Sequence, residues 1–210
     1  EAVSAHSVHV ETAGLRPGRP YWYRFTAQGQ RSPVGLTRTA PAPNARADRL
    51  RLAIASCSNW ERGYFSAYRH MAEERPDLTL FLGDYIYEYS LGAQRSAEVV
   101  RPYGLEEANS LAGYRNRYAL HRTDPDLQAL HAAAPCLAIW DDHEVHDDYS
   151  GPVSDRLPGA ARCGLPGLLR GHARAPVGPL EPPVSTGPLG ASGRASHAGR
   201  PSAPLAPALS

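Results

Sequence analysis

The stretch DLTLFLGDYIYEY (77–89) decides how the rest of the chain is read. DLTLFL is short and apolar, as a strand covered on both faces should be. It stops at Gly83-Asp84, and three tyrosines then crowd around a second acid. Gly-Asp-Tyr alone suits an ordinary turn, so the reading rests on the neighbours. Upstream, RLRLAIAS (49–56) is a second short apolar run, ending at Cys57. Downstream, CLAIW (136–140) is a third, running straight into DDHEVHDDY (141–149).

Helical patterns separate these strands. GYFSAYRHMAEER (63–75) spaces Phe65, Tyr68, Met71 and Ala72 as one helical face. LAGYRNRYALH (111–121) reads as a helix, and DPDLQALHAA (124–133) opens with Asp124 as N-cap and Pro125 at the first helical position. Strands alternating with helices predict an α/β layer with a largely parallel sheet. Residues 1–42 read instead as short β-strands, with HSVHVET, YWYRFTA and PVGLTRTAP around the turn GLRPGRP. They suit the end of an immunoglobulin- or fibronectin-like β domain, of which about seven strands would make a whole. Residues 43–49 are the expected linker, 50–151 the α/β part, and 152–210 a tail. The tail holds no Phe, Tyr or Trp and is dense in Pro, Gly, Ala and Ser, a composition expected to stay disordered.

Composition excludes several classes of function. The formal net charge is +1, with 22 basic and 21 acidic residues, so there is no nucleic-acid-binding signature. No apolar run approaches the roughly 20 residues of a membrane-spanning helix. The three cysteines form neither a disulfide framework nor a Cys-x-x-Cys zinc motif. No Gly-x-Ser-x-Gly elbow marks a serine hydrolase. A monomer is expected, and the chain shows neither an initiating Met nor a signal peptide.

In an open α/β sheet, ligands bind beyond the carboxyl ends of the strands. The three strands here end in Cys57, in Asp84 with Tyr87, and in Asp141-Asp142-His143-Glu144. Thiolate, carboxylate and phenolate donors suit a trivalent iron better than zinc, and the adjacent carboxylates suit calcium or magnesium. His143, between Asp142 and Glu144, is placed for general acid work or for a phosphate contact. Two cations bridged by Asp84 would activate water against a phosphate ester.

IASCSNWERGYFSAYRHMAEERPDLTLFLGDYIYEY (54–89) and YRNRYALHRTDPDLQALHAAAPCLAIWDDHEVHDDYSG (114–151) closely resemble the PhoD-like alkaline phosphatases, of the calcineurin-like metallophosphatase superfamily. Residues 6–42 resemble the end of that family's immunoglobulin-like N-terminal domain. The resemblance implies an extracytoplasmic phosphomonoesterase or phosphodiesterase with Fe(III) and Ca²⁺. It implies iron ligation by Cys57, Asp84 and Tyr87, with Asp84 bridging, calcium ligation by Asp142, and His143 as the catalytic residue. Asn59, Asp141, Glu144 and Asp147 are expected close behind these ligands. Position 147 is often Asn in the family and is Asp here.

The family's later Gly-Asp-x-His-like element has no counterpart in 151–210, and His172 and His197 are not expected to be ligands. A back-translation of ARCGLPGLLRGHA (161–173), read one base later, gives Arg-Ala-Ala-Ala-Tyr-Gln-Ala-Tyr-Tyr-Glu-Asp-Met-Pro, close to what the family carries there. The sequence therefore points to a change of reading frame between 151 and 161. It leaves two functional alternatives: a phosphatase, or an inactive fragment of one. A non-enzymatic binding module would need the whole sandwich.

Overall fold

A computed structural model describes residue 8 and residues 10–149 of the chain. The segment expected to be disordered, 152–210, lies outside the described residues. Three parallel strands form the central sheet, in the order β5 (Leu52–Ala55), β6 (Leu78–Leu82), β7 (Cys136–Ile139). Helix α1 (Ser66–Glu73) makes the first crossover; α2 (Leu111–His121) and α3 (Pro125–Ala133) make the second. Parallel neighbours need crossovers of this kind, and helices supply them compactly.

The two faces of the sheet differ. Ala55, Phe81, Cys136 and Ala138 pack into the core with Tyr68, Tyr85, Leu127 and Leu130. The opposite face carries Leu52, Ile54, Leu82 and Ile139, which are 42, 52, 45 and 60% exposed. Their registers, Leu52 with Leu78, Ile54 with Leu80 and Leu82 with Ile139, make that face a continuous aliphatic array. Parallel sheets are ordinarily covered on both faces. Among the described residues only one face is.

Local signals explain the helix starts. The Asp124 carboxylate accepts from the backbone N–H groups of Asp126 and Leu127 at 3.0 Å each, a full N-cap ahead of Pro125. Ser110 caps α2 by accepting from Gly113 N–H at 3.1 Å. Helix α1 has no side-chain cap and is held by burial of Phe65 and Tyr68.

A layer of rings fills the space between the helices and the loop after β6. Trp60, Phe65 and Tyr103 surround His121, all with centroids within 5.9 Å of it. Arg101 lies 3.5 Å from the Trp60 ring centre and pairs with Asp124 at 2.6 Å. Arg117, fully buried, lies 3.6 Å from the Tyr103 ring centre. Burial, followed by the charges of Arg101 and Arg117, pushes the His121 pKa down to about 3. Glu61 ties two loops to this layer, accepting from Leu91 N–H at 2.6 Å and Tyr103 N–H at 3.3 Å.

The N-terminal part forms two small antiparallel ladders, β1 (Pro20–Tyr23) with β4 (Gly35–Arg38) and β2 (Thr26–Ala27) with β3 (Gln30–Arg31). Of the strand expected over HSVHVET, the described residues, 8 and 10–12, lie in no strand. Val8 and Val10 are 65 and 44% exposed. Arg38 bridges to Asp77 at 3.0 Å and ties β4 to the start of β6. No helix among the described residues is long and apolar enough to cross a membrane.

Candidate metal centre

The carboxyl ends of β5, β6 and β7 meet at one rim. Backbone hydrogen bonds fasten the first two, Cys57 N–H to the Gly83 carbonyl at 3.4 Å and Ser58 N–H to the Asp84 carbonyl at 2.8 Å. The third is fastened by Glu144, which is fully buried. Its carboxylate accepts from the N–H groups of Tyr85 at 2.5 Å, Asp141 at 2.9 Å and Asp84 at 3.2 Å. Glu144 thus staples β6 to β7; burial raises its pKa, and these three donors hold it down.

The backbone at this rim is bent sharply. Cys57, Asp84 and Asp148 all have positive φ, at 57°, 51° and 59°, which is uncommon for residues with a Cβ. Asp84 follows Gly83, itself at φ 83°. A Cβ on Gly83 would lie 2.4 Å from the Asp141 Cβ, so only glycine lets the two strand ends approach this closely. Strain of this kind persists where surrounding structure imposes it, and it gathers at functional sites.

Asp84, Asp142 and His143 each offer a ligand atom within 4.8 Å of the others. Tyr87 donates its hydroxyl proton to Asp84 Oδ2 at 3.1 Å. The other oxygen, Asp84 Oδ1, is buried with no hydrogen-bond partner among the described residues. A buried carboxylate oxygen without a donor is unfavourable unless a cation meets it, so the donor set fits a metal. Burial raises the Asp84 pKa, opposed by His143 and by the Tyr87 hydroxyl. Burial and then the Asp84 charge hold the Tyr87 phenol far above its ordinary range. Tyr87 therefore keeps its proton until a cation offsets that repulsion.

His143 brings a nitrogen into the cluster, so it can act as a ligand as well as an acid. Its Nδ1 meets Glu88 Oε2 at 2.9 Å, while its Nε2 lies 3.7 Å from Asp147 Oδ1. Tyr87 and Tyr89 flank its ring, with centroids 4.2 and 5.4 Å away. Burial alone would depress the His143 pKa, but the Glu88 hydrogen bond and the charges of Glu88, Asp84 and Asp142 raise it to about 9. Glu88 shows the complementary effect. Burial would raise its pKa, but His143 and the Asp147 N–H draw it below the ordinary carboxylate value.

The remaining expected residues take different places. Asp141 contributes its N–H to Glu144 and its Cβ to the contact over Gly83. Asp147, with its side chain 61% exposed, gives its N–H to Glu88 Oε1 at 2.8 Å. Asn59 is used locally, accepting from Glu61 N–H at 3.0 Å. Sequence reasoning passed over Glu88 and Asp148. The alternation Tyr-Glu-Tyr at 87–89 was the available signal for Glu88. Nothing local signals Asp148, whose N–H donates to Asp142 Oδ2 at 2.6 Å. A groove of about 920 Å³ opens where the strands begin, lined in part by Arg38, Leu50, Asp77 and Cys136. It lies far along the strands from these ligand-type groups.

Comparison with known proteins assigns the chain. The family model described as PhoD-like phosphatase matches residues 52–161, more than half of the sequence. The chain belongs to the PhoD-like phosphatase family. The model for the PhoD-like phosphatase N-terminal domain matches residues 1–41. Alkaline phosphatase D of Bacillus subtilis (strain 168) is 47% identical over 153 residues, which are 72% of this chain and 26% of that protein. A solved structure titled "Structure of PhoD" superposes with a TM-score of 0.71 at 42% identity, over 81% of this chain and 32% of the other. The chain thus spans about a quarter to a third of the length of the PhoD-like proteins it matches.

Proposed function

We propose that this chain carries the N-terminal part of a metal-dependent phosphoric ester hydrolase, an alkaline phosphatase or phosphodiesterase. The observation that carries the reading is the buried, partnerless Asp84 Oδ1 in a cluster with Asp142 and His143. Cys57, Asp84 and Tyr87 would hold Fe(III), and Asp84 and Asp142 would share Ca²⁺. When bound, such cations supply Lewis-acid activation of water and neutralise charge on the phosphoryl group. The chain's own contribution is positioning and proton transfer. Asp84 and Asp142 would fix the site from two strand ends, and Tyr87 would supply a phenolic oxygen to it. His143, hydrogen-bonded to Glu88 through Nδ1, would present its Nε2 proton to a phosphate oxygen or to the departing alkoxide.

The same reading places residues 1–42 at the end of an immunoglobulin-like domain and 43–49 as a linker. It places 50–151 in the phosphatase domain, with the reading frame changing beyond 151. The location is extracytoplasmic, the substrate a phosphate ester, and the protein a monomer. A second reading, that this span alone is inactive, is favoured by its coverage of only 26% of the B. subtilis protein. One experiment separates them: purify the chain, add iron(III) and calcium, and measure bound metal and release of nitrophenol from p-nitrophenyl phosphate. Metal with turnover supports the first reading, metal without turnover the second. A folded chain that takes up neither ion rejects the ligand assignment.

A further inference from the structure

The geometry around His143 assigns a role to a residue that the ligand set does not use. Glu88 is buried, and both of its carboxylate oxygens are engaged, Oε2 with His143 Nδ1 at 2.9 Å and Oε1 with Asp147 N–H at 2.8 Å. Its backbone is fixed as well. The Glu88 carbonyl accepts from Ala108 N–H at 2.8 Å and from the buried Arg117 guanidinium at 3.1 Å. Three parts of the chain therefore hold this one residue: helix α2, the loop before it, and the loop after β7. Rotation of the Glu88 side chain would break both of its contacts to the loop after β7.

The neighbours of Glu88 in sequence complete the arrangement. Tyr87 and Tyr89 stand against the His143 ring at 4.2 and 5.4 Å, with interplanar angles of 39° and 61°. The two rings restrict how far the imidazole can swing, and Glu88 determines which nitrogen points inward. We infer that Glu88 is the positioning residue of His143: it pins the Nδ1 proton, so that the proton His143 exchanges is always the one on Nε2. A carboxylate accepts but cannot donate, so a neutral imidazole beside it must keep its hydrogen on Nδ1. Free histidine prefers the opposite tautomer, so the site reverses an intrinsic preference. For its catalytic consequence the inference rests on His143 acting at the phosphate. For the tautomer it rests on geometry alone.

The test uses the full 210-residue chain with ¹⁵N-labelled histidine, its His143 signals assigned by their loss in His143→Ala. Ring-nitrogen shifts recorded at a pH where the imidazole is neutral should show the Nδ1–H form in the unaltered chain. Glu88→Ala should shift the population toward Nε2–H. An Nε2–H tautomer in the unaltered chain overturns the inference without any variant. So does a Glu88→Ala chain, folded by circular dichroism, that keeps Nδ1–H. A second arm measures hydrolysis of p-nitrophenyl phosphate by the iron- and calcium-loaded chain. There Glu88→Gln should lower kcat by about ten- to a hundredfold with KM little changed. Full turnover by His143→Ala would reject the catalytic reading of His143 yet leave the tautomer result standing. Full turnover by Glu88→Gln alongside an inactive His143→Ala would reject the positioning role itself.

Discussion

The rim at the strand ends and the ring layer around His121 handle buried charge in opposite ways. At the rim, three residues other than glycine are bent to positive φ, and acidic side chains converge with one oxygen left partnerless. In the ring layer the cations lie over aromatic faces, and Arg101 has an acidic partner at 2.6 Å. The rim tolerates strain and repulsion that the layer does not. The acidic charge of the rim awaits a partner, whereas the charges of the layer are met in place, Arg101 by Asp124 and the Trp60 ring and Arg117 by the Tyr103 ring. Substitutions of the ligand-type side chains Asp84, Asp142 and His143 should therefore change chemistry and spare the fold, unlike those of the stapling Glu144 or of Gly83. Those in the layer should do the reverse.

The largest effect expected from this contrast is at Asp84. Asp84→Asn keeps a residue that tolerates positive φ but removes the carboxylate charge proposed to bridge the metals. Bound iron and calcium, measured by elemental analysis, should fall severalfold. On the proposed function, hydrolysis of p-nitrophenyl phosphate by the iron- and calcium-loaded chain should fall at least about a thousandfold, equivalent to about 4 kcal/mol. The melting temperature should change little. Retained metal would place Asp84 with the structural residues and remove the contrast.

Asp124 is the matching probe in the layer. Asp124→Ala strips the cap from α3 and leaves Arg101 buried without its partner, which should cost about 3–5 kcal/mol in urea unfolding. Asp124→Asn preserves the cap and should recover part of that loss. Equal destabilisation by the two would show that the ion pair, not the cap, carries the effect.

Acid should act on the layer through His121. Its pKa is lowered to about 3 in the folded chain against an ordinary 6.5, so the unfolded chain takes up the proton first. Stability from this residue is complete above pH 6.5 and declines as the pH falls toward 3. Between pH 7 and pH 4 the loss should be about 3 kcal/mol. Carboxylates add their own loss over this range, so the relevant quantity is the difference from His121→Phe. Identical slopes for the two chains would exclude His121 as the source.

The smallest change is expected at Ser110. Ser110→Ala should cost about 1 kcal/mol, because α2 is held in the layer by Tyr114, Arg117, Tyr118 and His121 more than by its cap. A loss several times larger would show that the layer depends on how α2 begins.

These contrasts also show what could be read in advance. Helix α2 occupies LAGYRNRYALH as its pattern indicated, and Asp124-Pro125 marked the start of α3. Both are local signals, contained within a few residues. The parallel sheet followed from alternation and from strand ends that stop in polar residues. What stayed hidden depends on distance in sequence. Glu88 and His143 are 55 residues apart, and Glu144 grips Tyr85 across 59. No periodicity reports such pairs. HSVHVET alternates strongly, yet its described residues, 8 and 10–12, lie in no strand.

The aliphatic face of the central sheet matters most while the polypeptide is being made. Strands β5, β6 and β7 leave the ribosome while the residues that follow them are still being added. At about 5–20 residues per second, a protein of the length of the B. subtilis relative needs on the order of tens of seconds to finish after this span emerges. For that interval Leu52, Ile54, Leu82 and Ile139 form a flat, adhesive surface able to pair with another nascent copy. Synthesis speed and chaperone supply thus become determinants of yield, and a slower ribosome lengthens the hazard.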